Sequence, residues 1–290
     1  PEWVAFDDLH SHRRMLDLLD DRGIPVVWTA HNLTPHSKEP ERFDAVYALW
    51  AARARAVIHH SAWGEQRMRT HYEFAPDAQH HVLAHGHFGG LWEPALAGTS
   101  RDDAEAALGL TSGRLRIGIV GAPRAEKFVG RFLHAFAATR RPDLELAVWS
   151  LGPGVVVPDD PRIVVAEQYR MTDARTYALR LAACDVLAMP FDPDGEMLAT
   201  GTVADAIGLG VPCLATDWGY LVETLGDAAI PLGRGDAMVM TAALDALTTR
   251  QVTDAAAAAR ARRSQCEWGD IALATLAVFE SALAAGPVGP

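Results

Sequence analysis

Residues 186–223 read VLAMPFDPDGEMLATGTVADAIGLGVPCLATDWGYLVE. An apolar run over 185–189 passes into a long polar loop. Thr200, Gly201 and Thr202 then open a helix that ends near Gly208 to Gly210, and a second apolar run occupies 211–215. Strand, loop, helix and strand in this order form one unit of a parallel sheet, whose strands, covered on both faces, read as nearly continuous apolar runs. Unpaired backbone N–H groups at the helix start, beside two hydroxyls and a glycine that permits close approach, suit an anion. Asp205 lies one turn further along the same face, where a carboxylate can accept from the paired hydroxyls of a ribose. An alternative reading makes Thr202 a plain N-cap and Asp205 its partner in a capping-box-like pair. The residues alone leave both open.

The same alternation extends on both sides. Apolar runs at 116–120, 144–150, 163–166, 185–189, 211–215 and 228–231, with helical patterns at 128–138, 172–183, 203–209 and 237–249, predict a complete doubly wound domain. Helices at 254–263 and 268–283 close it, ahead of a GPVGP tail. In the first third, strands are expected at 24–30, 56–60 and 81–84 and helices at 42–54 and 63–72. The pattern breaks over 87–99, HFGGLWEPALAGT, and resumes at Ser100, where Asp102, Asp103 and Glu105 mark a capped helix start. The domain boundary is therefore placed at 98/99.

A second polar segment follows the first strand of the larger domain: residues 117–130, IGIVGAPRAEKFVG. Loops after strands at the carboxyl edge of such a sheet face the ligand crevice. Arg124 and Lys127 stand there three residues apart, one a planar fork and the other a point charge, placed to hold an anion. The bland alternative is a pair of solvated loop cations.

Composition narrows the partners. With 49% hydrophobic residues the chain can bury two cores, and 26 Lys+Arg against 37 Asp+Glu give a net charge of −11. That field opposes nucleic acid and anionic membrane as main partners. Cys184, Cys213 and Cys266 are odd in number and form no CxxC pair, which suits a reducing, cytoplasmic location. No apolar run approaches the roughly 18 residues of a transmembrane span. Twelve histidines invite a metal, but His59-His60 and His80-His81 are adjacent pairs whose side chains diverge along a strand. His81 and His85, four apart in a strand, lack the Glu of a helical HExxH. No metal and no other cofactor is expected.

On these motifs the chain resembles the retaining GT-B glycosyltransferases of the family 4 type, from Val26 to about Ala284. The family's Gly, Arg and Lys loop is matched by Gly121, Arg124 and Lys127, with Phe128 where a glycine follows. Its E-A-M-A-x-G-x-P phrase is matched by Asp205-Ala206-Ile207-Gly208-Leu209-Gly210-Val211-Pro212, with Asp205 in place of the ribose-binding Glu. The family's upstream Glu falls on Met197. Either a one-residue loop adjustment brings Glu196 to the donor sugar, or the chain follows the subset reading S-G-T, matched by Thr200-Gly201-Thr202. His31, closing the strand VVWTA, resembles a histidine beside the donor sugar, and His85-Gly86 resembles the turn before the linker.

The resemblance implies two Rossmann-like domains facing a cleft: an acceptor-side domain (1–98), a nucleotide-sugar domain (99–266) and a closing helix crossing back (267–290). It implies metal-independent transfer of a hexose, with retention, from a nucleotide diphosphate sugar to a hydroxyl acceptor, served by His31, Arg124 and Lys127. Donor binding falls to Gly121, Glu196, Thr200, Gly201, Thr202 and Asp205. Two other readings stand beside it: a nucleotide-sugar epimerase of the same architecture, and a non-catalytic nucleotide-binding or interaction module. Only about 95 residues precede the linker, with three strands and no glycine before Gly23. The first domain is thus expected to be partial, completed by an upstream segment or a partner chain.

Overall fold

The computed structural model describes residues 9–34 and 40–288. The elements begin with α1 (Leu9–Asp21), β1 (Val26–Ala30), α2 (Pro40–Arg53), β2 (Ala54–His59), α3 (Ala62–His71) and β3 (Gln79–Val82). There follow α4 (Gly89–Ala95), α5 (Arg101–Ala107), β4 (Leu115–Ile119), α6 (Val129–Ala137), β5 (Leu144–Leu151), β6 (Ile163–Gln168), α7 (Ala174–Ala182) and β7 (Val186–Met189). The chain continues through α8 (Gly201–Leu209), β8 (Cys213–Ala215), α9 (Gly219–Leu225), β9 (Ala229–Pro231), α10 (Ala237–Ala246), α11 (Thr249–Arg263) and α12 (Trp268–Ala285).

Two compact units result. The first comprises the described residues of Pro1–His85, Glu196–Ala199 and Trp268–Pro290; the second comprises Gly86–Gly195 and Thr200–Glu267. In the first, β1, β2 and β3 form a parallel sheet in that order. The whole of β2 is buried. The short segment from Glu196 belongs here because Leu33 donates its N–H to the Glu196 carbonyl at 2.9 Å, and Leu198 is buried with Ala30, Leu33, Met68 and Tyr72. Helix α12 packs Val278 and Ala282 against Ala56 and Ile58 of β2. Its 18 residues have the length and apolarity of a membrane-crossing helix by composition alone, which corrects the expectation that no apolar stretch approaches that length.

The second unit carries a six-stranded parallel sheet in the order β6-β5-β4-β7-β8-β9. The order reverses direction between β4 and β7, the switch point at which doubly wound sheets open a crevice beyond the strand ends. Phe132, Leu133 and Phe136 of α6 pack on Ile117, Leu146 and Val148. Ser100 caps α5 in a capping box with Asp103, as its sequence predicts. Residues 86–98 pack in this unit rather than with the first domain, because Phe88 donates its N–H to the Ala204 carbonyl and α4 crosses α8 closely. A Cβ on Gly208 would stand 2.4 Å from the Gly89 nitrogen, so both crossing points need glycine.

Beneath the sheet's other end, Arg116 of β4 is fully buried. Its guanidinium donates to Glu105 at 2.6 Å, to Glu145 at 2.8 Å and to the Ala183 carbonyl at 3.1 Å. Glu105 also accepts from Arg101, which pairs with Asp185 through Nη2 at 2.6 Å. This network ties α5 to β4, β5 and the entry to β7. Removing one member strands a buried charge, which typically costs 3–5 kcal/mol. We therefore expect Arg116→Met to lower unfolding free energy by roughly 3–5 kcal/mol in urea titrations. Combining it with Glu105→Gln and Glu145→Gln, which removes the stranded charges, should recover a large part of the loss.

Candidate functional site

The turn after β4 begins at Gly121, whose φ is +79°. A side chain there would be strained by the backbone alone, and its Cβ would stand 3.0 Å from Thr202 Oγ1 and 3.4 Å from Lys127 Nζ. Gly121, Lys127 and Thr202, named separately from sequence, are thus brought to one point. The loop is stitched in place by Lys127 N–H to the Arg124 carbonyl at 3.1 Å, Phe128 N–H to the Pro190 carbonyl at 2.7 Å and Asp192 N–H to the Glu126 carbonyl at 2.7 Å. Phe128 precedes α6 with φ −76°, open to any residue, and its ring lies under the Arg131 guanidinium. No glycine is needed at that position.

Lys127 Nζ donates to the Val120 carbonyl at 3.2 Å and sits 5.4 Å from the centroid of the Phe191 ring. Burial, assisted by the neighbouring Arg124 charge, pushes its pKa down to about 8. Arg124 itself is exposed. The two cations are therefore close, one in solvent and one sheltered, at the mouth of the turn.

Helix α8 starts at Gly201 with Thr200 as its N-cap, and the Thr200 side chain makes no capping hydrogen bond. Of the two readings the sequence left open, the capping one is excluded: Thr202 lies inside the first turn and is buried, and Asp205 completes no capping box. The backbone N–H groups of the first turn keep their capacity for an anion. Thr202 Oγ1 lies 3.5 Å from Thr200 Oγ1.

Asp205 is 5% exposed. Trp92 Nε1 donates to its Oδ1 at 2.8 Å, and the Tyr177 hydroxyl donates to its Oδ2 at 2.7 Å. Desolvation raises the Asp205 pKa to about 6, against the two hydrogen bonds and the Lys127 charge, which lower it. Desolvation and the Asp205 charge keep Tyr177 protonated and hence a donor. Trp92 and Tyr177 were not recognisable from sequence, since they lie 113 and 28 residues from Asp205 with no motif linking them.

The remaining two candidates, His31 and Glu196, belong to the first unit. Glu196 is exposed and accepts from the Thr34 hydroxyl. His31 follows β1, with its ring centroid 4.8 Å from that of His60, which lies 5.2 Å from that of His85. His60 Nδ1 faces the Leu83 carbonyl at 3.1 Å, which fixes its proton there. Burial first, then the His31 charge, hold His60 down to about 4. Desolvation and then His85 hold His31 below its ordinary value. The adjacent His59 turns the other way, with Nε2 3.0 Å from His80 Nδ1. Among the described residues no group of three His, Cys, Asp or Glu side chains converges as a metal site.

No family model matches the chain, and no curated protein matches it. Solved structures do. Sucrose-phosphate synthase from Thermosynechococcus elongatus is 19% identical, with 95% of this chain and 72% of that one covered at a TM-score of 0.73. Anabaena HepE in complex with UDP and glucose is 16% identical over 94% of this chain and 76% of that one, TM-score 0.71. The α,α-trehalose 6-phosphate synthase from Burkholderia multivorans is 14% identical over 93% and 70%, TM-score 0.67. Across so wide a sequence distance these likenesses define the fold, and the fold is of the GT-B class, an α/β chain of Rossmann-like domains.

The titrations carry signs that can be checked. Asp205 is raised when folded, so its contribution to stability is present below the ordinary carboxylate value of 3.8 and lost as pH rises through about 6. Lys127 is depressed, so its contribution is present above 10.5 and lost as pH falls through about 8. The site is therefore least favourable between these values, where both groups are charged. Asp205→Asn, which can still accept from Trp92 and bond Tyr177, should gain roughly 2–3 kcal/mol relative to the parent between pH 4 and pH 7. Paired denaturation curves at the two pH values measure it; a constant difference between parent and variant would contradict the assignment.

Proposed function

We propose that this chain is a glycosyltransferase of the family 4 type that moves a hexose, with retention, from a nucleotide diphosphate sugar to a hydroxyl acceptor. The observation that carries the reading is the convergence of Gly121, Lys127 and Thr202 at the uncapped start of α8, with Arg124 beside them. Two cations and a helix N-terminus at one strand end are an electrostatic receptor for a diphosphate. The three solved structures above are named as sugar-phosphate synthases or as holding UDP and glucose, which agrees with that ligand class.

In the reaction the bond from the anomeric carbon to the diphosphate breaks and a bond to the acceptor oxygen forms. The leaving diphosphate gains negative charge and takes up the acceptor proton, so no protein base is required for the balance. Arg124, Lys127 and the α8 N–H groups stabilise the departing charge. Asp205 holds the donor ribose through the lone pairs that Trp92 and Tyr177 leave free, with Thr200, Gly201 and Thr202 lining the phosphate side. His31, neutral near pH 7, positions the sugar and acceptor by hydrogen bonding. Glu196 is the second contact to the sugar, steered by Thr34. The three separate buried thiols suit reaction in the cytoplasm, and no metal takes part.

Arg124→Ala and Lys127→Ala should each weaken binding of the matching nucleoside diphosphate by roughly 1.5–3 kcal/mol, the scale of a hydrogen bond to a charged group. Calorimetry with UDP, GDP and ADP decides it, and unchanged affinity in both variants returns them to solvated loop cations. Asp205→Asn should weaken a ribonucleotide more than its 2′,3′-dideoxy analogue. Product analysis completes the test: released nucleotide with a glycosylated acceptor supports transfer, whereas an epimerised nucleotide sugar or no turnover overturns it.

A further inference from the structure

A Cβ on Gly121 would stand 3.4 Å from Lys127 Nζ and 3.9 Å from the Tyr177 hydroxyl that bonds Asp205, so the ammonium and the carboxylate are neighbours, both desolvated, and each acts on the other's titration. They nevertheless form no ion pair. Two neutral donors, the Trp92 indole N–H on α4 and the Tyr177 hydroxyl on α7, occupy one carboxylate oxygen each. The rings of Trp92 and Tyr177 pack against each other with centroids 5.0 Å apart, so the two donors form one rigid support. On the other side, Lys127 spends one of its three N–H bonds on the Val120 carbonyl, and among the described residues it bonds no side chain. Lys127 is one of two lysines in the chain, the other being Lys38, which lies outside the described residues. Nearly every other cation is arginine.

We propose that Trp92 and Tyr177 are positioning residues that keep Asp205 from pairing with Lys127 and so leave the ammonium open to an anionic ligand. That ligand, on the glycosyltransferase reading above, is the donor diphosphate. The physical reason is competition. A desolvated carboxylate with an unfilled oxygen seeks the nearest donor, and a buried, hydrogen-bonded ion pair is hard to displace. If Asp205 closed on Lys127, an incoming phosphate would first have to break that pair. One neutral donor on each oxygen holds the carboxylate in place, near enough to keep the lysine protonated, with its remaining lone pairs turned from the ammonium.

The other charged and titratable groups around the pair do not take over either role. Arg124 lies in the same loop and is exposed. Arg180 of α7, and Tyr169 ahead of it, act on Tyr177 rather than on Lys127. Glu93 of α4 is held by Arg263 of α11 at 2.9 Å, and Arg260 of α11 lies along Gly210 at the far end of α8.

The two-lysine composition makes the test direct. Trace acetylation with acetic anhydride across pH, read by peptide mass mapping, reports the titration of Lys127 itself, and calorimetry with UDP and with inorganic pyrophosphate reports the open ammonium. Trp92→Phe and Tyr177→Phe each delete one donor while keeping the ring. We expect the Lys127 midpoint to rise by roughly one unit in each and affinity for both ligands to fall roughly five- to tenfold. In an Asp205→Asn background the same substitutions should move neither. A merely structural role would lower the melting temperature without shifting the lysine titration, and an unshifted titration in Trp92→Phe, Tyr177→Phe and the double variant overturns the proposal. Should one variant fail to fold, the other, on a different helix, carries the same comparison. A shifted titration in a parent protein that binds neither UDP, GDP, ADP nor pyrophosphate upholds the charge separation and overturns the nucleotide reading; binding without the shift does the reverse.

Discussion

The second unit is organised by a backbone constraint at the end of its first strand. Gly121 turns with φ +79° in a space bounded by the Thr202 hydroxyl and the Lys127 ammonium. Because glycine takes this left-handed turn without strain and brings no Cβ to crowd the Thr202 hydroxyl, the loop after β4 approaches the first turn of α8, and a strand end, a cation and a helix N-terminus meet. The rest of the loop follows from this. Its backbone is pinned to the segment after β7 through Phe128 and Asp192, which are hydrogen bonds that only a closely approaching chain can make. A helix dipole falls off within its first turn, so a loop displaced by a side chain at Gly121 would lose most of that field.

Burial of charge is handled in two opposite ways within the same unit. Arg116 is held by two carboxylates and by the carbonyls of Thr111 and Ala183, and has no access to solvent. This arrangement ties β4 to β5 and to the entry of β7, and its burial keeps the guanidinium out of reach of a ligand. Lys127 and Asp205 are instead kept apart, each with its pKa displaced toward the neutral form. Such displacement is unfavourable to folding at neutral pH. Strain of this electrostatic kind concentrates where a protein must offer charge to something else.

Much of the second unit was legible because β5, β7 and β8 are wholly buried and the starts of α5, α7, α10 and α11 carry side-chain caps. Leu144–Leu151 is wholly buried and reads as one apolar run, and Ser100 with Asp103 announces α5 by a recognised pattern. Helices α1, α4 and α9 were not legible, for different reasons. In α1 the apolar face of Met15, Leu16 and Leu19 is short and set among charges, and of these Leu16 alone is fully buried. Helix α4 contains two glycines and Pro94, signals of a loop, and is held by tertiary contacts instead. Helix α9 begins without a side-chain cap. The site was legible in its parts and not in its joins. Gly121, Lys127 and Thr202 each stand at a strand or helix end, whereas the donors to Asp205 come from distant helices. The boundary at 98/99 missed the packing of α4 for the same reason.

The identity of the cation at position 127 follows from this arrangement. An arginine there would present a planar fork that matches a carboxylate in two bonds at once, and with Asp205 close enough to act on its charge the pair would tend to close. An ammonium is a compact donor with three freely directed hydrogens, so one bond to the Val120 carbonyl anchors it without fixing the others. Its cost is a titration near neutrality, which a guanidinium would not have. In a chain whose cations are otherwise almost all arginine, a lysine beside a carboxylate held on one oxygen by an indole and on the other by a phenol is the choice that keeps both charges adjacent and unpaired.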